Sequence, residues 1–107
     1  MTLYWQALQE MDKSYTVFTH VIDEDNRIWG QKDNPPASGT SLTSEWQEGQ
    51  VVEDSYIIPI QADLPQGMYR IEVGLYDPQS MQRLPVLDER GRPQGDRITL
   101  PERIHAN

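Results

Sequence analysis

His20, the lone central histidine, and seventeen carboxylates are the groups from which this chain could build a reactive site; it has no cysteine. The missing thiol excludes disulfide staples, thiol nucleophiles and cysteine zinc sites. His20 falls in an extended pattern between Phe18 and Ile22, and a metal would need partners for it; the second histidine, His105, is in the tail. The plainer expectation is a half-exposed sheet histidine. Asp23-Glu24-Asp25-Asn26 offers oxygen donors for calcium but lacks the twelve-residue spacing and closing Glu of an EF-hand loop, so it reads as a hairpin turn. Glu53 and Asp54 are adjacent on an extended segment, point to opposite faces and cannot flank one glycosidic bond. Glu72, between Arg70 and Gly74, is expected in a cross-strand ion pair. Ser38-Gly39-Thr40-Ser41 has hydroxyls without a nearby His or Lys to activate them. No catalytic residue, metal site or cofactor site is expected.

A binding surface is better supported. Alternation places Phe18 and His20 on one side of their strand, and Arg70, Glu72, Gly74 and Tyr76 on the side of theirs opposite the core. Trp29, alternating with Ile28, reaches the same side. Aromatic rings interleaved with charged and amide groups can stack on pyranose C–H faces while hydrogen-bonding hydroxyls, so His20, Trp29, Arg70, Glu72 and Tyr76 are the candidate glycan-binding residues. The same surface suits docking against a neighbouring domain, which Gly74 would permit by close approach. Docking is the preferred reading and sugar binding the alternative.

Strands must carry these side chains. In Gly67–Tyr76, Tyr69, Ile71, Val73 and Leu75 alternate with Arg70, Glu72, Gly74 and Tyr76, the period of two of a strand with one buried face. Pro65–Gly67 and Asp77-Pro78 punctuate it as turns. Six further strands are expected over Thr2–Gln9, Tyr15–Asp23, Arg27–Lys32, Gln50–Ile60, Gln82–Leu87 and Asp96–Leu100, with a fraying tail after the last. Pro35-Pro36 sets a surface loop over residues 33–44 that crosses between sheets, and Pro59 and Pro85 mark edges or bulges. A single helical turn over Ser44–Gly49 would lay Trp46 on an open end of the core. Strands at about ten-residue intervals indicate an all-β, immunoglobulin-like antiparallel sandwich of about seven strands, or a small barrel. The expected core is Leu3, Trp5, Val17, Val21, Ile28, Trp46, Tyr56, Ile58, Ile60, Tyr69, Ile71, Val73 and Leu75. Each large apolar side chain buried there contributes about 1.5–3 kcal/mol before entropy is counted, so Ile71→Asp should unfold the domain.

Size and charge bound the rest. The 107 residues suffice for one domain, 1–107, with one two-layer core. A mean hydropathy of -0.70 suits sheets with wet outer faces. Net charge is -8, with eleven acidic and three basic residues before Pro65 and six of each after it. Such a surface repels phosphate backbones and anionic headgroups, so no nucleic-acid partner and no direct membrane insertion are expected. Thr2-Leu3-Tyr4-Trp5 starts in mid-strand, as expected of a domain excised from a larger protein.

Several blocks together carry a resemblance: Leu3-Tyr4-Trp5, Tyr15-Thr16-Val17-Phe18-Thr19-His20-Val21, Trp46-Gln47-Glu48-Gly49-Gln50-Val51-Val52, Leu64-Pro65-Gln66-Gly67-Met68-Tyr69, Val73-Gly74-Leu75-Tyr76-Asp77-Pro78 and Arg83-Leu84-Pro85-Val86. Their order resembles the C-terminal soluble domain of large bacterial polytopic membrane proteins related to glycosyltransferases of the protein mannosyltransferase type, which use lipid-phosphate sugar donors. A weaker similarity is to β-sandwich modules that recognise polysaccharide in exporters and glycoside hydrolases. The first resemblance implies an accessory domain on the extracytoplasmic side of a bacterial membrane, non-catalytic itself. Its partner would be the transmembrane portion of the parent protein, and it would pack on the transferase or help hold a glycan.

Overall fold

Apolar–polar alternation and frequent turn residues dictate extended chain, and the computed structural model, which describes residues 1–88 and 90–106, is all-β. Six strands are formed among the described residues: β1 Thr2–Gln6, β2 Thr16–Ile22, β3 Ile28–Asn34, β4 Val51–Ser55, β5 Gly67–Tyr76 and β6 Ile98–Ala106. They make two antiparallel sheets, a small β1-β4 pair and a four-stranded sheet of order β3-β2-β5-β6. The arrangement is sandwich-like. The expected crossing between sheets is found where β3 gives way, through the short turn Pro36–Gly39, to β4.

Local chemistry sets the turns. At the β2–β3 hairpin, Asp23 Oδ1 accepts the backbone N–H groups of Asp25 and Arg27 at 2.8 and 2.9 Å, and Asn26 takes a φ of 63°. The turn recurs at Asp88, whose Oδ1 accepts from the N–H groups of Arg90 and Arg92, with Gly91 at φ 78°. An aspartate closing its own turn, followed three residues later by a residue tolerant of left-handed backbone, is the shared rule.

Burial is concentrated on β2, all seven residues of which are buried. β2 lies between β3 and β5, which pair with its two edges, and side chains on both of its faces are buried as well: Val17, Thr19 and Val21 on one, Phe18, His20 and Ile22 on the other. On β5, Tyr69 and Val73 are buried as expected, while Ile71 and Leu75 are only half-buried. The small sheet buries Ala7 and Val52 with Trp46, and Trp5 and Met11 pack against them. Trp46 thus covers core as expected, held by its indole N–H on the Ser41 carbonyl at 3.0 Å; the helical turn itself spans Thr43–Glu45.

Four expectations are corrected. Gln82–Leu87 is not a strand; Arg83 and Leu87 make isolated bridges to Tyr76 and Pro93, with Pro85 between them unable to donate. The chain after Leu100 does not fray but continues β6, paired with β5 to Ala106. Ile28 and Ile60 are 43% and 47% exposed, because Ile60 bridges Gly30 at the open edge of the sheet rather than entering its interior. The strand expected over Gln50–Ile60 ends at Ser55.

Candidate functional site

The β2–β5 register sets Phe18 opposite Gly74, His20 opposite Glu72 and Ile22 opposite Arg70. On the far side of β2, Asp33 of β3 stands opposite Phe18 and Gln31 opposite His20. A row of polar and aromatic groups therefore crosses one sheet face, as alternation required.

This face is only partly open, with a cleft of about 220 Å³ beside Phe18, His20, Asp33 and Tyr76. Of the residues that follow β5, the described part of segment 77–97 returns over it at Arg83, Asp96 and Arg97. The Arg83 guanidinium lies 4.2 Å from the Phe18 ring centroid, a cation–π contact, and its Nη1 is 3.5 Å from Asp96 Oδ1. Gly74 is required beneath this strap: a Cβ there would overlap the Phe18 ring and stand 3.1 Å from the Asp96 carbonyl. Arg97 Nε reaches Glu72 Oε2 at 3.2 Å, and His20 Nδ1 lies 3.2 Å from the other oxygen, Oε1. Glu72 is 5% exposed and His20 7%. The histidine is thus buried and paired, not half-exposed. A carboxylate shared by a guanidinium and an imidazole keeps its charge compensated where water is scarce.

The five candidate residues separate into three places. His20, Glu72 and Tyr76 belong to the covered row, where Tyr76 Oη donates to Asp33 Oδ2 at 3.0 Å. Partial burial, with that bond second, pushes the Tyr76 phenol above its ordinary pKa. Trp29 lies apart in an open groove of about 470 Å³ at the β3 edge, beside Gln31 and Gln61, and its indole N–H donates to Asp23 Oδ2 at 2.9 Å. That bond, followed by the Arg27 N–H, holds the Asp23 carboxyl below the usual aspartate range. Arg70 lies beyond the covered row, lining a separate cleft near the hairpin turn.

Sequence reasoning missed Arg83, Asp96 and Arg97, since no period or spacing announces that segment 77–97 returns across the sheet. It also missed Asp54. This fully buried carboxylate accepts from Trp5 Nε1 at 3.0 Å, Tyr56 Oη at 2.5 Å and the Ala37 N–H at 2.9 Å. Burial and the Asp54 bond drive the Tyr56 phenol far up in pKa, so it stays protonated and donating. As expected, neighbouring Glu53 is exposed on the opposite face. Among the described residues no cluster of His, Asp and Glu could hold a metal ion, and no buried side-chain nitrogen or oxygen lacks a partner.

No known protein family matches the chain, and neither a curated protein nor a solved structure is similar to it.

Proposed function

We propose that this chain is a non-catalytic accessory domain, of the immunoglobulin-like class, which packs on the transmembrane portion of a glycosyltransferase-like parent on the extracytoplasmic side of a bacterial membrane. The observation that carries the non-catalytic part is the engagement of the buried titratable groups His20, Glu72, Asp54 and Tyr56 within the chain: His20 pairs with Glu72, which also meets Arg97, and Tyr56 donates to Asp54. At 7% and 5% exposure His20 and Glu72 present little surface to a substrate, and Asp54 presents none. The contact surface we assign is the outer face of the small sheet, from which Tyr4 and Val51 project exposed. Apolar side chains displayed on a wet face suit a protein partner. Tyr4→Asp combined with Val51→Asp should abolish co-purification with the membrane portion supplied as a separate polypeptide, while changing stability by no more than about 0.5 kcal/mol per site. Undiminished association, or turnover of a lipid-phosphate sugar by the isolated domain, would refute the proposal.

A second reading, glycan binding, draws its main support from Trp29, a ring beside two amide side chains in an open groove, while half-buried Tyr76 lines a smaller cleft with Phe18 and Arg83. It no longer draws on His20 or Glu72, which are covered. Titration with oligosaccharides should move the Trp29 indole resonance at millimolar sugar; a silent indole would end that reading.

A further inference from the structure

The β5–β6 register sets Arg70 directly opposite Arg103. Both side chains are exposed, and like charges in a direct cross-strand pair repel, so an anion held between them would relieve the pair. Among the described residues Arg83, Arg92 and Arg97 each have a carboxylate within 4 Å, while Arg70 and Arg103 have none. The ladder is also irregular at this point. Between the pairs Glu72–Thr99 and Arg70–Arg103, β6 advances four residues while β5 advances two. Bulges of this kind re-aim side chains and open a sheet locally.

The opening is a cleft of about 230 Å³. Ile22 and Met68 line it together with Thr99, and the two arginines stand at the β5–β6 side. The opposite lip is the β2–β3 hairpin turn, which brings Asp23 and Glu24. Asp23 is already fixed by three donors and held ionised, whereas Glu24 is exposed and makes no ion pair among the described residues. The cleft is therefore bipolar: two arginines on the β5–β6 side and carboxylates on the hairpin side. Guanidinium pairs favour oxyanions, which accept two parallel hydrogen bonds from each fork. The volume lies below the roughly 300–1,000 Å³ of drug-sized pockets, so the ligand is small.

We infer that the Arg70–Arg103 cleft binds a small bipolar ligand, with a phosphate or carboxylate group on the arginines and hydroxyl or ammonium donors toward Glu24. The inference is independent of both functional readings above, since it uses neither the outer face of the small sheet nor the Trp29 groove. The test is a ¹H–¹⁵N NMR titration of the whole chain, including arginine Nε–H signals, at constant ionic strength set with chloride. The probes are glucosamine 6-phosphate, glucuronate and inorganic phosphate. Saturable shifts at Arg70, Arg103 and Thr99 are expected with the anionic sugars. Response to the phosphate ester alone or to glucuronate alone identifies the oxyanion; response to both shows the shared chemistry. Arg70→Gln and Arg103→Gln should each weaken binding at least about tenfold, in variants whose backbone spectra remain folded. Glucosamine 6-phosphate should bind more tightly than inorganic phosphate, and Glu24→Gln should erase that preference. Absence of saturable shifts with either anionic sugar, or saturation surviving in both arginine variants, overturns the site. A preference unchanged by Glu24→Gln overturns the bipolar assignment.

Discussion

Single side chains carry unusual weight in this molecule because several organise backbone as well as packing. Asp23 closes the β2–β3 turn and anchors Trp29, and those bonds hold its carboxyl below the unfolded value of about 3.9. The folded state thus binds its proton less readily than the unfolded chain. The resulting stabilisation is present above about pH 4 and is lost as pH falls through the folded value. Asp23→Asn should remove this part of the acid dependence, measured as a smaller drop in urea midpoint between about pH 5 and about pH 2 than in the parent chain. Gly74 makes the contrasting case, since what matters is the missing side chain. Gly74→Ala drives a methyl into Phe18 and toward the Asp96 carbonyl, and overpacking of this kind costs about 1–3 kcal/mol. Denaturant unfolding of Gly74→Ala checks it.

At the scale of elements, the bounds of β5 and the division of its residues between two faces were readable from strict alternation between clear turn signals, but not that Glu72 and Gly74 are buried while Ile71 and Leu75 are half-buried. The hairpin at Asp23–Asn26 was readable for the same reason, because turn chemistry is local. β2 was located but misjudged, since a strand covered on both sides needs no polar face, and which strand becomes central depends on pairing that no single segment encodes. The candidate site suffered similarly. Alternation put His20, Glu72 and Tyr76 on one face, but the strap over them comes from a segment whose Pro85 and turn residues give no period at all. Burial also shifts the sensitive position along β5. Val73, 3% exposed, replaces half-buried Ile71 as the residue where a charge is least tolerated. Val73→Asp should abolish the folded far-UV circular dichroism spectrum, with Ile71→Asp the milder of the two.

For the molecule as a whole, the two sheets differ in their resources. The four-stranded sheet has β2 sealed on both faces, whereas β1 and β4 form a two-stranded ribbon, a size that is marginal on its own. Asp54 joins that ribbon to its surroundings, receiving bonds from β1 through Trp5, from Tyr56 and from the turn that follows β3 through Ala37. Amide exchange should therefore be faster in β1 and β4 than in β2 and β5. Asp54→Ala, which strands several buried donors at once, should cost about 3 kcal/mol or more and speed exchange first in the ribbon. Equal protection of the two sheets would contradict this account.

The second aspartate-closed turn lies within the strap, and Arg90 and Gly91 in it are exposed. Trypsin should cut after Arg90 and spare Arg92, whose following residue is Pro93. Such a nick severs no rung of the main ladder, so the two pieces should stay associated. A synthetic peptide beginning at Gly91 would then restore the cleaved or truncated domain by re-adding its missing edge, a reconstitution that makes this chain a ready split reporter.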